Sequence, residues 1–202
     1  VISIYQLKPK FQSLLRPCAN RLNNANITAN QVTISACLGS IFVSFIVGLF
    51  SSYQWIFCVI PIWMLIRMAL NAIDGMLARE FQQKTDLGAY LNEIGDVISD
   101  IALLLVFMQL DNVSNNLVIL VVLLSFLSEY AGVLGLMVGS SRRYDGPMGK
   151  SDRAFVFGAI SLGIGIYQLP LDCINPILWM ISFLLIYTVI NRIRKGLEKA
   201  QK

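Results

Sequence analysis

Between Asn71 and Asp100 the chain reads NAIDGMLAREFQQKTDLGAYLNEIGDVISD, and this stretch holds six of the twelve acidic residues: Asp74, Glu80, Asp86, Glu93, Asp96 and Asp100. Strongly apolar segments flank it on both sides. Ionisable groups at the ends of membrane helices are costly unless they face a wet cavity, a partner or a metal, so these side chains are candidates for chemistry. Their spacing narrows the choice. Asn71, Asp74 and Ala78, at i, i+3 and i+7, share one face of a helix, while Gly88, Asn92, Asp96 and Asp100 form an i, i+4 row on a second. Two helices joined by a short polar link would set these rows face to face and build one oxygen-rich pocket. With no histidine in the sequence, neither imidazole catalysis nor imidazole metal ligation is open to it.

The elements that must position this pocket are membrane helices. The chain has 202 residues, 56% of them hydrophobic and 14% charged, with a mean hydropathy of +0.66. A bilayer span needs about 20 consecutive apolar residues. Six such runs lie at roughly 32–50, 54–73, 88–109, 116–138, 154–169 and 175–192, leaving no room for a separate soluble domain. The expected fold is therefore all-α and integral to the membrane: six transmembrane helices (31–195) preceded by an amphipathic surface helix (within 1–30), forming one domain over 1–202. Positive loops stay on the cytoplasmic side. With the N-terminus inside, the inner segments collect Lys8, Lys10, Arg16 and Arg21; Arg67, Arg79 and Lys84; Arg142, Arg143, Lys150 and Arg153; and Arg192, Arg194, Lys195, Lys199 and Lys202. These are all 16 basic residues, so both termini are expected in the cytoplasm. The net charge of +4 is then an orientation signal, and nucleic acid is not an expected partner. Cys18, Cys37, Cys58 and Cys173 show no metal spacing and read as reduced thiols. Charges interrupt residues 1–30 before an apolar core forms, so no cleavable signal peptide is expected there.

Along the chain, Ile4, Leu7, Phe11, Leu14, Leu15, Cys18 and Leu22 fall at helical spacing. This reads as an amphipathic helix on the membrane surface, bent at Pro9 or Pro17, with packing on protein as the alternative. Thr28 and Gln31 have capping-box spacing at the start of the first span. Pro61 predicts a kink in the second span. Arg67, one turn before Asn71, should either snorkel to the interface or pair with an acid of the pocket. Glu129 lies midway in the fourth span and reads as an interhelical polar contact or a catalytic acid. The loop SSRRYDGPMGKSDR concentrates four basic residues, Gly158, Gly163 and Gly165 read as close helix packing, and the basic tail after Asn191 reads as an inner-surface anchor.

Residues 71–96 resemble the signature of the CDP-alcohol phosphatidyltransferase family, D-x2-D-G-x2-A-R-x8-G-x3-D-x3-D. Asp74, Gly75, Ala78, Arg79, Gly88 and Asp96 match in register, and Asn71 and Asn92 stand where the pattern has its first and third aspartates. The six-helix layout, the amphipathic N-terminal helix and the motif's placement across the second and third spans also fit, and a bacterial branch of undefined substrate carries the same asparagines. The resemblance implies transfer of a phosphatidyl-type group from a CDP-linked lipid to an alcohol, with release of CMP in phospholipid synthesis. It implies a bacterial inner-membrane homodimer among membrane lipids. A pyrophosphate entering a carboxylate-lined pocket needs divalent cations, and Mg2+ or Mn2+ suits oxygen ligands. Carried over residue by residue, Asn71, Asp74, Asn92 and Asp96 would hold metal, Asp96 would be the general base, and Asp74, Gly75, Ala78, Arg79 and Gly88 would receive the nucleotide. Glu93 and Asp100 could offset the charge lost at the two asparagines.

Arg142, Arg143, Lys150 and Arg153 would bind the acceptor alcohol, and a phosphorylated acceptor such as glycerol 3-phosphate or inositol phosphate would suit them. The positive-inside rule explains the same four charges equally well. The alternative to an active transferase is a catalytically weak or inactive protein of the same fold that binds CDP-lipid and metal. A small transporter or lipid scaffold is a further alternative, but paired broken helices and internal repeats, the marks of many transporters, are missing from the sequence.

Overall fold

The computed structural model describes residues 4–200, with side chains described for 11–198. The side chains of Ile4, Leu7, Lys8, Pro9, Lys10 and Lys199, and the whole of Lys202, lie outside the described residues. Within them the chain is helical, with no strand: α1 (Ile4–Asn24), α2 (Ala29–Leu49), α3 (Val59–Glu80), α4 (Asp86–Leu105), α5 (Asn115–Leu134), α6 (Lys150–Tyr167) and α7 (Ile174–Ala200). Short 3-10 turns at Gln54–Cys58, Val106–Gln109, Gly135–Val138 and Leu171–Cys173 join or extend them.

Local chemistry sets the starts. At α2 the expected capping box is present: Gln31 N donates to Thr28 Oγ1 at 3.3 Å and Thr28 N donates to Gln31 Oε1 at 2.9 Å, satisfying two amides that a helix start leaves unpaired. At α4, Thr85 Oγ1 accepts from Gly88 N at 2.9 Å, and Asp86 in the first turn complements the positive end of the helix. Pro61 sits inside an apolar stretch, Gln54–Glu80, as expected, but near its start. It falls in the first turn of α3, just after the 3-10 turn, where a missing N–H has no helical partner to lose.

Among the described residues, four stretches are long and apolar enough to cross a membrane: Ala29–Leu49, Gln54–Glu80, Asn115–Val138 and Leu171–Glu198. The other two expected spans are helical, as α4 and α6, but both are charged. Glu93, Asp96 and Asp100 occupy α4, and Lys150, Asp152 and Arg153 open α6. On α2, Leu38, Phe42, Phe45 and Leu49 are exposed along one stripe, the surface expected of a helix solvated by lipid.

The chain forms two compact units. The first runs to Phe42 and includes Ile62–Ser99; the second holds Val43–Pro61 and the chain from Asp100 onward. In the first, Ala19, Ala29, Val32, Ile73, Met76 and Leu77 form a buried core, with Leu15, Leu22, Ala78 and Phe81 packed against it. The helix α1 therefore packs on protein through Leu15, Ala19 and Leu22, while Phe11 and Leu14 remain exposed. Trp63 lies over Gly39, where any side chain would collide with the indole, and its Nε1 donates to Ser40 Oγ at 2.9 Å. In the second unit, Phe57, Phe107 and Phe157 meet edge to face, with centroids 5.8 and 5.3 Å apart. The helix α5 packs along α7, and Gly165 admits Cys58 against α6.

Candidate active site

The two halves of the motif meet in the first unit. Asn71, on α3, donates its Nδ2 to Asp96 Oδ1, on α4, at 3.1 Å. Arg67, one turn earlier on α3 and only 4% exposed, donates Nη2 to the Asp96 carbonyl at 3.1 Å and reaches Asp96 Oδ1 at 3.4 Å. The arginine thus takes the pairing option, and Asp96 is held by two donors from the facing helix. Asp74 is buried at 3% exposure, and its Oδ2 accepts from Thr33 Oγ1, on α2, at 2.7 Å. Thr33 sits within 3.1 Å of the Ala29 carbonyl as well; its single hydroxyl proton favours the shorter contact to the carboxylate. Asn92 is half-buried one turn before Asp96.

The residues expected to face nucleotide have close neighbours of their own. A side chain at Gly75 would come within 3.0 Å of Arg79 Nη2, so the exposed Arg79 folds back over Gly75. A Cβ at Gly88 would come within 2.6 Å of Asn30 Oδ1 and 3.0 Å of Thr85 Oγ1, and Ala78 lies at the edge of the core. Asn30 also donates to Thr85 at 3.3 Å, and Gln83 ties the same turn to Ala29 N at 2.8 Å and Asn23 at 2.9 Å. Among the described residues no three His, Cys, Asp or Glu side chains gather around one point.

The basic loop lies in the second unit and is tied down along its length. Arg143 N donates to the Gly132 carbonyl at 2.9 Å, and Met148 N donates to Thr188 Oγ1 at 3.2 Å. Gly132 and Gly135 have no side chain because the loop backbone at 141–143 runs against them. Arg142 pairs with Glu129 at 3.1 Å, Arg143 with Asp145 at 2.8 Å, and Arg153 with Asp100 at 2.7 Å and Glu129 at 3.0 Å. Lys150 opens α6, whose first amides are satisfied in part by Asp152 Oδ2, which accepts from Gly149 N at 3.0 Å. Burial pushes the Asp145 carboxyl up, but its hydrogen bond to Lys195 and the charges of Arg143 and Lys195 outweigh that and hold it below the ordinary carboxylate value. Asp100, in this second unit, is paired with Arg153.

Two residues were missed. Thr33 is one polar group in an apolar span, and its position one turn after the capping box was the available signal. Arg192, which the sequence places in a surface anchor, is 1% exposed and reaches Glu129 at 3.4 Å. It continues the row Ile174, Leu178, Ile181, Leu185 and Thr188, all buried, so the heptad spacing marked it as inward-facing.

Residues 26–191 match the family model of the CDP-alcohol phosphatidyltransferases. The chain belongs to the CDP-alcohol phosphatidyltransferase family. Inner membrane protein YnbA of Escherichia coli (strain K12) is 47% identical over 197 residues, covering 97% of both chains. An uncharacterized protein of Aquifex aeolicus (strain VF5) is 33% identical over 97 residues, 47% of this chain and 46% of that one. Among solved structures, phosphatidylinositol phosphate synthase PgsA1 of Mycobacterium tuberculosis with CDP-DAG bound matches with a TM-score of 0.72 at 20% identity, covering 91% of this chain and 94% of that chain. The same protein with manganese and citrate gives 0.71 at 18%, covering 90% and 88%. At these identities the likeness is one of fold. Family membership assigns the reaction class: transfer of a phosphatidyl-type group from a CDP-linked lipid to an alcohol, with release of CMP, in phospholipid synthesis. The four apolar helices and the inner-membrane relative make this member of the family a membrane protein.

Proposed function

We propose that the chain is a divalent-metal-dependent phosphotransferase of the bacterial inner membrane in which Asp96 is the general base. The observation that carries the assignment is the contact of Asn71 with Asp96 at 3.1 Å, which joins the two halves of the motif in a chain whose family is known. The acceptor hydroxyl attacks the phosphatidyl phosphorus, a new P–O bond forms, the bond to the CMP oxygen breaks, and the hydroxyl proton passes to the Asp96 carboxylate. An alcohol is a weak nucleophile at neutral pH, and a positioned base contributes about 10²–10⁴-fold. Arg67 and Asn71 fix the orientation of that base, and Thr33 fixes Asp74.

The CDP-DAG seen in PgsA1 supports a CDP-diacylglycerol donor here, and the manganese seen there supports a divalent cation. Asn71, Asp74, Asn92 and Asp96 would hold the cation: the set is all oxygen and carries two negative charges, which fits Mg2+ or Mn2+. When bound, the cation neutralises charge on the pyrophosphate. Asp74, Gly75, Ala78, Arg79 and Gly88 receive the nucleotide, and Arg142, Arg143, Lys150 and Arg153 meet the acceptor. In this proposal the whole chain, 1–202, is one domain and a homodimer. Its α4 and α6 also cross the bilayer, α1 lies on the inner surface, and both termini are cytoplasmic, supported by the lack of Lys and Arg in the links at 51–53, 110–115 and 170–174.

CMP release from CDP-diacylglycerol by the full chain in detergent, with a panel of alcohols, tests the reading. Loss on chelation and in Asp74→Ala is expected; release indifferent to both refutes the site. The amides at 71 and 92 favour a second reading, a protein that binds CDP-lipid and metal with little or no turnover. Under it, magnesium-dependent CDP-lipid binding survives while no alcohol yields CMP.

A further inference from the structure

Three guanidinium groups converge on one carboxylate in the second unit. Glu129, on α5, is 7% exposed. Its Oε1 lies 3.0 Å from Arg153 Nη2 and 3.4 Å from Arg192 Nη1, and its Oε2 lies 3.1 Å from Arg142 Nη2. Arginine forks gathered in this way are how proteins grip phosphate and carboxylate oxyanions. Here the oxyanion is the chain's own.

The arginines are also engaged elsewhere. Both Nη groups of Arg153 have two acceptors each: Nη1 donates to the Met148 carbonyl at 3.1 Å and to Ser128 Oγ at 3.3 Å, and Nη2 donates to Asp100 Oδ2 at 2.7 Å and to Glu129 Oε1 at 3.0 Å. That accounts for all four Nη hydrogens of Arg153. Arg192 gives Nη1 to the Ser128 carbonyl and Nε to the Asp145 carbonyl at 3.3 Å. Arg142 is stacked on the Tyr144 ring, 4.3 Å from its centroid. In these pairs three guanidinium groups meet two carboxylates, Glu129 and Asp100.

We propose that Glu129 determines acceptor specificity by occupying the place of a phosphate, so that the alcohol used by this chain carries no phosphomonoester. The inference rests on the acceptor role proposed above for Arg142 and Arg153. A phosphomonoester brings about −1.5 to −2 charge near neutral pH. To take an Nη2 donor of Arg153 or Arg142 it must displace a carboxylate, and Glu129 then stays beside it as a like charge in a poorly solvated site. An uncharged hydroxyl needs one donor or acceptor and leaves the ion pairs intact. The sequence alone suggests a phosphorylated acceptor from the loop's four basic residues; the buried glutamate among them argues for the opposite class.

The test uses the full chain in detergent and needs no turnover for its first arm. Inorganic phosphate is titrated calorimetrically into the wild type and Glu129→Gln, which keeps the shape and a hydrogen-bond acceptor but removes the charge. Expected is phosphate affinity at least about tenfold higher in the variant; tight phosphate binding by the wild type, matched by the variant, overturns the proposal by showing that the acids merely hold the arginines ready for phosphate. In the second arm, CMP release from CDP-diacylglycerol is compared for glycerol with glycerol 3-phosphate and for inositol with inositol phosphate. The wild type should favour the unphosphorylated member of each pair by about tenfold or more in kcat/KM, and Glu129→Gln should shrink or reverse the ratio. Preference of the wild type for the phosphorylated member overturns the proposal without any variant, which covers failure of Glu129→Gln to fold. Absence of CMP with every alcohol counts against the transferase reading, and the phosphate titration then still decides the role of Glu129.

Discussion

Replacing Arg153 by methionine removes the guanidinium that holds Asp100 at 2.7 Å and Glu129 at 3.0 Å, in a position where the arginine side chain is 3% exposed and the two carboxylates are 13% and 9% exposed. Methionine approximates the volume of the stem, so the loss is chiefly electrostatic. Each hydrogen bond to a charged group contributes roughly 1.5–3 kcal/mol, giving about 3–6 kcal/mol for the two. Independently, removing one partner of a buried ion pair costs about 3–5 kcal/mol, because the other charge is left in a poorly solvated place. The two estimates overlap. At about 2–4 °C per kcal/mol for a chain of this size, 3–5 kcal/mol corresponds to a Tm lower by roughly 6–20 °C. The assay is thermal unfolding of purified protein in one detergent at fixed lipid content, with Asp100→Asn and the double variant measured alongside. The double variant should be less destabilised than the sum of the singles by about 0.5–3 kcal/mol. A wild-type Tm for Arg153→Met, or strict additivity in the cycle, would refute the reasoning.

Asp96→Asn keeps the shape of the base and removes its basicity, so CMP release should fall by about 10²–10⁴-fold, while magnesium-dependent CDP-lipid binding, measured by filter retention, persists; Asn92→Asp should instead tighten magnesium binding and leave turnover in place. Thr33→Val deletes the 2.7 Å bond to Asp74 and should weaken CDP-lipid binding in magnesium by about 1–2 kcal/mol, roughly five- to thirtyfold, with Thr33→Ser restoring most of it; unchanged affinity in Thr33→Val would show that Asp74 needs no positioning. Because the Asp145 carboxyl is held below its ordinary value of 3.8, its pairs with Arg143 and Lys195 contribute stability that is complete above the unfolded pKa and is lost as pH falls through the lower folded value. Thermal unfolding of the wild type should therefore lose stability relative to Asp145→Asn as the pH is taken below that range, by a small amount since the group is partly solvated.

How much was legible in the sequence depended on the range of the interaction. Contacts fixed by helical spacing are readable, as the capping box at Thr28 and Gln31 shows, whereas for Arg67 the sequence leaves snorkelling and pairing with an acid both open. The motif's register was likewise enough to bring Asn71 and Asp96 together, since antiparallel neighbours joined by a link as short as 81–85 have few other ways to pack. The cluster around Glu129 was not readable, because it depends on a loop folding back onto α5 through Gly132 and Gly135 and on Arg192 arriving from α7. Such pairings join residues 13 to 63 positions apart, and no periodicity encodes them. The reading of the basic tail as a surface anchor fails at Arg192, where the heptad-like buried row of α7 outweighs the tendency of arginine to reach water. The helices α4 and α6 were read as spans like the rest, although their charged ends set them apart from the four apolar helices.

The most direct test of the transferase assignment is a mass balance on the full chain in detergent with CDP-diacylglycerol, magnesium and a panel of alcohols, in which CMP is quantified by chromatography and the lipid product by mass spectrometry. Expected is CMP and a new phosphatidyl-alcohol appearing in equal amounts for at least one alcohol, with neither formed by Asp96→Asn or in the presence of chelator. CDP-diacylglycerol that binds in a magnesium-dependent manner and yields no CMP with any alcohol would contradict the assignment and leave a lipid-binding protein built on the fold of an enzyme.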